Sequence, residues 1–408
     1  MKTQRQHDDS EEALTISRRN TQSPKGRANS EPIPTDIIFE ILLKLSTKTI
    51  ARCRCVTKLW YSVLVRREFT EMFLTRSSTR PQLLSCCEKK GELFFFTAPQ
   101  LQNLDENSSL VVSPSYQMKV PFEGFDTSQI CGHVRGLVCL THQRVLKGRK
   151  ETVPMICNPS TGQALPLPKV KTRRVSVRTF FVYDPIGKLF KLLSMTWPCY
   201  GNGEKNCDEY QVLTLATQTL SWRMVDCCTP HHPAHDGICI DGCLYYQAMV
   251  GLGSGVSTIV CFDVSSETFR FVKKARGMAL YGNPALVNYE GRLGAIQSDG
   301  AYGDIYCHTR SLELWVLVDA EKHEWSKLVY ALPPMWKNVV GLSVLYIVGR
   351  TSTNDIVLSQ RYTSDVLYYN SERNTIIRVK LQGMDVFNHL SRVHTFLNHV
   401  EDVKLMQL

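Results

Sequence analysis

One local figure recurs along the last two thirds of the chain and limits what that part can fold into. An apolar run ends, a short polar stretch follows, and a large apolar residue returns six positions after the start of the turn, as in "YDPIGKLF", "LATQTLSW", "FDVSSETFRF", "VDAEKHEW" and "YNSERNTI". Asp184, Ala216, Asp263, Asp319 and Asn370 open these turns, and Phe190, Trp222, Phe269, Trp325 and Ile376 close them. An earlier copy, "NPSTGQAL", starts at Asn158 and has Ala164 at the sixth position, with Leu165 next. The physical basis is a hairpin: an Asx side chain bonds the backbone to start the turn, and the large residue returns the outgoing strand to the core.

Upstream of several turns a Gly leads an apolar run, as in "HVRGLVCL", "DGCLYYQAMV" and "YEGRLGAIQS". From about residue 81 onward the pattern is short apolar runs broken by Gly, Asn, Asp and Pro, which predicts an all-β domain. A Gly-led strand, a connection and an Asp-turn-Trp hairpin resemble the blade of a kelch-type propeller. The last four turn positions are 47, 56 and 51 residues apart, near the kelch period, whereas the first intervals, 26 and 32, are too short for four-stranded blades. Repetition and β character are therefore the expectation, with no blade number attached, and a sandwich is the alternative.

The segment before it has a different period. In "IPTDIIFEILLKLSTKTIARCRCVTKLWYSVLVRREF" apolar residues fall at helical spacing with no internal Gly, which predicts three short helices. Pro34 suits a first helical position and Asp36 a first turn, where the helix dipole favours negative charge. Ile38, Leu42 and Leu45 form a stripe flanked by Ile37 and Ile41; Ser46 and Thr47 cap a second helix; Val56, Leu59, Trp60, Val63 and Leu64 mark a third. About forty residues enclose too little interior for all these side chains, so some of the surface must meet either the downstream domain or a partner.

Composition excludes several classes. At 408 residues and 43% apolar the chain can build a full core. No run approaches the eighteen or more apolar residues of a membrane span, and the polar start lacks a secretory stretch, so an intracellular place, cytoplasm and/or nucleus, is expected. The fifteen cysteines sit mostly in apolar runs such as "LVCL" and "IVCF" and read as reduced thiols used as small hydrophobes. Residues 32–80 hold nine Lys or Arg against four Asp or Glu, half of the net +10. Residues 1–30 have almost nothing to bury and read as a disordered tail.

Motifs for chemistry are absent from this reading. "CCTPHHPAH" (227–235) concentrates Cys and His but lacks the separated ligand pairs of a zinc site, and reads as a loop between strands. "GLGSGVS" (251–257) lacks the Lys-Ser/Thr ending of a phosphate loop, and "RVLKGRK" (144–150) has no interleaved aromatics for base stacking. No nucleophile is singled out, and no metal or cofactor is expected.

The helical segment resembles the F-box motif through Ile33-Pro34-Thr35-Asp36-Ile37, Glu40-Ile41-Leu42, Leu45-Ser46 and Arg54-Cys55-Val56-Thr57-Lys58-Leu59-Trp60, with Ile33 for the usual Leu and Ser46 for the second Pro. The β region resembles the F-box-associated domain of plant F-box proteins, particularly its type 3 form. "GLVCL", "CNPSTGQALPLP", "VYDPIGKLFKLL", "VLTLATQTLSWR", "GICIDGCLYYQA", "IVCFDVSSETF" and "LWVLVDAEKHEWSK" follow in the family's order.

The resemblance implies an F-box at 31–77, a β domain at 81–390 and a C-terminal tail at 391–408. It also implies a non-catalytic substrate receptor of a Skp–cullin–F-box ubiquitin ligase. Ile33, Pro34, Asp36, Ile37, Ile41, Leu42, Leu45, Val56, Lys58 and Trp60 would contact a Skp-type adaptor, and through it a cullin, while the β domain holds a protein target. The connections 198–209, 227–235 and 298–310 are the candidates for target contact. Two rivals are a helix-turn-helix nucleic-acid binder with Lys58, Tyr61, Ser62 and Arg66 on the third helix, which the flanking apolar face disfavours, and a β interaction domain outside any ligase.

Overall fold

The computed structural model describes residues 34–102, 109–122, 129–146, 149–174, 176–198, 209–215, 219–251, 256–278, 284–300, 305–360, 363–384 and 393–406. The expected tail at 1–30 and Ile33 lie outside them.

The segment opens with the three expected helices, α1 (Thr35–Leu43), α2 (Thr47–Arg54) and α3 (Lys58–Leu64), and a fourth, α4 (Arg67–Ser78), follows. Pro34 is the N-cap of α1 rather than its first helical residue, and its carbonyl accepts from Ile37 and Ile38 N–H. Asp36 does sit in the first turn. Ser46 caps α2 by accepting from Thr49 N–H at 3.3 Å, a bond a proline side chain cannot make. Thr57 caps α3 through Trp60 N–H at 3.1 Å, so Val56 lies in the turn before the helix. The core of the four is Leu42, Ile50, Val63, Leu64, Phe69 and Phe73, with Phe39 edge-on to Phe69 at 5.6 Å.

The rest is a six-bladed propeller, so the sandwich alternative does not hold. Blade 1 contains β1 (Gln82–Lys89), β2 (Glu92–Pro99) and β4 (Ser115–Pro121); β3 (Ser109–Val112) leaves it to join blade 6. Blade 2 is β5 (Ile130–Val134), β6 (Leu137–Leu146), β7 (Arg149–Asn158) and β8 (Gln163–Pro166). Blade 3 is β9 (Ser176–Asp184), β10 (Leu189–Trp197), β11 (Glu209–Leu215) and β12 (Arg223–Val225). Blade 4 is β13 (His231–Ile240), β14 (Cys243–Val250), β15 (Val256–Asp263) and β16 (Thr268–Val272). Blade 5 is β17 (Ala285–Tyr289), β18 (Arg292–Ser298), β19 (Ser311–Asp319) and β20 (Glu324–Ala331). The short helix α5 (Trp336–Val340) leads to blade 6, β21 (Leu345–Arg350), β22 (Ile356–Gln360), β23 (Asp365–Asn370) and β24 (Thr375–Leu381). β3 pairs in parallel with the outer edge of β24.

The last strand, β25 (Val393–His399), pairs with β1 as the inner strand of blade 1. The β domain therefore runs past residue 390, and 391–408 is not a tail beyond it. Pairing the end of the chain with its first blade closes the ring and gives blade 1 its fourth, inner strand.

Antiparallel pairing within each blade puts its first and third turns at one end of the strands and its second turn, with the connection to the next blade, at the other. The helices enter β1 from the first end, the near face; the opposite end is the far face.

The repeated figure is what the near face is built from. Asn158, Asp184, Asp263, Asp319 and Asn370 each use Oδ1 to accept the N–H groups two and three residues on, at 2.8–3.3 Å. Four positions on, Gly162, Lys188, Glu267, His323 and Asn374 all have φ between 51° and 76°, the left-handed residue that returns the chain to the next strand. Ala216 lies outside the described residues.

Four of these turns close third hairpins, and Ala216 lies between β11 and β12 at the same position. Asp184 lies between β9 and β10, the first hairpin of blade 3. With Asp184 set aside, the first interval, Asn158 to Ala216, becomes 58 residues, and the irregular spacing resolves into one such turn in each of blades 2 to 6.

Beyond β25, residues 400–406 run back over the near face as a strap. Val403, 1% exposed, completes the helical core, and the Arg54 guanidinium donates to its carbonyl. Thr47 donates to Glu401 at 3.2 Å, and Glu401 N–H donates to the Ser77 hydroxyl at 2.6 Å. On the propeller side Asp402 N–H donates to Ser160 Oγ at 3.1 Å, and Met406 N–H to Gln163 Oε1 at 2.9 Å. Gly136, at φ +83°, is required beneath the strap, because a Cβ there would stand 2.4 Å from the Val400 carbonyl oxygen.

Candidate partner-binding surfaces

Docking the propeller does not consume the surplus apolar surface of the helices. The downstream chain contributes Val403 to their core, yet Ile37 and Ile41 on α1 remain 50% exposed, and Val56, Leu59 and Trp60 are 65%, 62% and 36% exposed. Ile37 and Ile41 are four residues apart and so share one face of α1. Pro34, Asp36 and Lys58 are exposed as well. Apolar side chains held out on a capped, well-packed scaffold mark a surface made for contact with another protein.

Not all the expected contact residues are on that surface. Leu42 is fully buried in the helical core, and Leu45 is half-buried against it. Their periodicity in the sequence is the same as that of Ile37 and Ile41; which side of α1 faces inward is decided by Phe69 and Phe73 of α4, a helix that the sequence reading, with three, did not predict. Of the set named for nucleic-acid contact, Lys58, Tyr61, Ser62 and Arg66 are exposed, but Leu59 and Trp60 stand exposed among them.

The three candidate target connections all belong to the far face. Residues 198–209 span β10 to β11, although 199–208 lie outside the described residues. The third, 298–310, lies between β18 and β19, with 301–304 undescribed. The second, 227–235, is only partly a connection, since His231–His235 form the start of β13.

His231 is a core residue there. It is 1% exposed, its Nε2 accepts from the Tyr246 hydroxyl at 2.6 Å and its Nδ1–H donates to Thr229 O at 2.9 Å. Burial pushes it down to about 4, against the bond to Thr229. No group of three or more metal-ligating side chains occurs among the described residues. None of their helices is long and apolar enough to cross a membrane.

Far-face features that the sequence reading missed are an exposed run of cations at 169–173 and an apolar cluster at the junction of blades 5 and 6. In that cluster Tyr306, Leu342, Val344 and Tyr346 are exposed beside the Ile305–Leu345 bridge. The alternation in "KVKTRR" was a readable signal for the first; the second is assembled from two connections that are remote in sequence.

Comparison with known proteins agrees with both halves of the architecture. Residues 32–72 match the family model described as F-box domain, and residues 82–400 match the one described as F-box associated beta propeller domain. The F-box protein DOR of Arabidopsis thaliana is 48% identical over 384 residues, covering 93% of this chain and 95% of that protein. The F-box protein At5g65850 of the same plant is 47% identical over 404 residues, covering 97% of each.

Proposed function

Since the chain belongs to the plant F-box proteins that carry an F-box-associated β-propeller, we propose that it is the substrate receptor of a Skp–cullin–F-box ubiquitin ligase. The observation that carries the reading is the exposed apolar set Ile37, Ile41, Val56, Leu59 and Trp60, which the protein's own propeller leaves uncovered. In this reading the set binds a Skp-type adaptor, and the adaptor binds the cullin. The far face of the propeller holds the target. The receptor performs no bond chemistry of its own: it raises the local concentration of target lysines near a ubiquitin-loaded thiol on another subunit. The strap bonded to both helices and propeller serves this role, because proximity acts only when the geometry is held. Its site of action would be the cytoplasm or nucleus, where the thirteen cysteines among the described residues, which form no disulfide, stay reduced.

The test is adaptor binding by the full chain and an Ile41→Asp/Leu59→Asp variant, measured by titration calorimetry. Both side chains are on the surface, so stability should move by no more than about 0.5 kcal/mol per site. Affinity should fall by about a hundredfold or more, since each change places a charge in an apolar interface. A folded variant that binds the adaptor like the parent overturns the reading.

A further inference from the structure

We propose that the far edge of blades 2 and 3 is a docking surface for an acidic segment of the target protein, the surface being the cation-bearing connection between β8 and β9. The identity of that partner as a ligase target rests on the function proposed above; the charge recognition is independent of it.

The charge is concentrated. Residues 144–174 contain eight Lys or Arg against Glu151 alone, so this stretch and the helical segment together more than account for the net +10 of the chain. Among the described side chains, Lys169, Lys171 and Arg173 are exposed at every second position of the connection, with Arg144 and Arg174 on either side.

The connection is built to hold them out. Val170 and Leu167 are buried, and their N–H groups donate to Thr152 O at 3.0 Å and Pro154 O at 2.8 Å. The Trp222 indole N–H donates to Pro168 O at 2.9 Å, and the Gln211 amide to Lys171 O at 2.8 Å. Thr172 turns inward, where its hydroxyl accepts from Arg174 N–H at 3.1 Å. The backbone is thus anchored at successive residues while the side chains of Lys169, Lys171 and Arg173 stay exposed, the Lys171 ammonium also reaching the Trp222 carbonyl at 3.4 Å, so the backbone that carries the cations is ordered before binding.

The protein's own carboxylates do not neutralise it. Glu151 is shared between Lys169 and Arg144, and Glu209 stands 3.7 Å from Arg174. Among the described residues no carboxylate pairs with Lys171 or Arg173. An excess of fixed positive charge at a face edge attracts and orients an anionic partner. The aromatic beneath the connection, Trp222, is buried with its indole N–H committed and offers no face for stacking bases, and the neighbouring Trp197 is already stacked on His232 at 5.5 Å. That favours an acidic polypeptide over a nucleic acid.

The experiment uses the full chain and fluorescein-labelled poly-L-glutamate, with binding read by anisotropy at low and at moderate salt. Lys169→Glu/Lys171→Glu/Arg173→Glu should weaken binding at least tenfold, and a triple Gln variant should do so to a lesser degree. Lys44→Glu/Lys48→Glu/Arg52→Glu changes net charge equally on the helices and should change binding less than threefold. Equal losses in the two Glu triples would mean adventitious polyelectrolyte binding only and would overturn the proposal, as would undiminished binding by the Lys169→Glu/Lys171→Glu/Arg173→Glu variant. Tighter binding of poly-uridylate than of poly-glutamate would reassign the surface to nucleic acid and overturn it too. If the Lys169→Glu/Lys171→Glu/Arg173→Glu variant does not fold, the Gln variant decides. Adaptor binding measured on the same proteins separates the two readings: its absence in the parent would remove the ligase role and leave the charge recognition standing.

Discussion

The side chain of Asn158 joins two parts of the molecule that are 244 residues apart: its Oδ1 closes the turn after β7, and its Nδ2 donates to the carbonyl of Asp402 at 3.0 Å. It reaches Lys404 O at 3.2 Å as well. The turn itself accepts Asp or Asn equally, because only an oxygen is needed. Where the second atom must donate, the residue is Asn: Asn370 does the same toward Asp355 Oδ1 at 2.7 Å. Where it must accept, the residue is Asp: Asp184 Oδ2 lies 3.2 Å from Lys191 Nζ, while the turn oxygen Oδ1 also accepts from the Ser265 hydroxyl at 2.6 Å.

Asn158→Asp should therefore keep its turn and lose the strap, with a carboxylate now facing two carbonyls. The expected cost is about 1–3 kcal/mol, read from urea unfolding. Val403→Ala should cost roughly 2 kcal/mol through the helical core. Truncation after His399 should leave the ring closed and make residues 34–78 the first site of limited proteolysis. Equal protease resistance in the truncated chain would show that the strap does not hold the helices.

The turn aromatics should differ among themselves. Trp222 is buried and its indole N–H is bonded to the connection between blades 2 and 3, so Trp222→Ala should cost about 3–5 kcal/mol. Trp325 is half-buried and donates to Lys273 O at 3.0 Å, so Trp325→Ala should cost less, about 1–3 kcal/mol. Thermal or chemical unfolding of the two variants side by side checks the order, and a reversed order would mean the inter-blade ties are not ranked by burial.

Stability should fall as pH drops from about 6.5 through about 4. Burial holds His231 and His133 down to about 4, and His399, 3.0 Å from His133 where β25 meets β5, lower than its ordinary value. The folded state keeps these rings neutral while the unfolded chain takes up protons, so their stabilisation is present above about pH 6.5 and is lost on the way down. For His231 the full loss is on the order of 3 kcal/mol. Against the cost of burial, Ser265, Gly187 and Lys191 hold Asp184 down to about 2, so it adds a further loss below pH 4. Glu401 and Asp402, pushed up by burial, act in the opposite sense. The slope of unfolding free energy between pH 6.5 and 4 should therefore be shallower in His231→Gln than in the parent; an unchanged slope would exclude His231 as a contributor.

Local rules were readable without the fold. Turn chemistry, the change of period near residue 80, the capping residue Ser46 and the F-box order all act within a few residues of themselves, where sequence distance and spatial distance coincide; Thr47, expected to share the cap, is the first residue of α2. So the helices, the hairpins and the all-β character could be named from the chain alone. The irregular spacing of the turns was also present in the sequence. Its cause was not, because whether Asp184 closes a first or a third hairpin depends on which strands pair.

What only the tertiary structure decided involves residues far apart along the chain. Ring closure by β25, the strap through Val403, the exclusion of Leu42 from the surface and the assembly of one far face from separate connections each require knowing what lies opposite. An apolar side chain at helical spacing has the same signature whether it faces a core or a partner, since periodicity records the direction of a side chain and not its neighbour. Leu42 and Ile41 are adjacent in sequence and alike in chemistry; Val403, Phe69 and Phe73 cover one and leave the other to solvent.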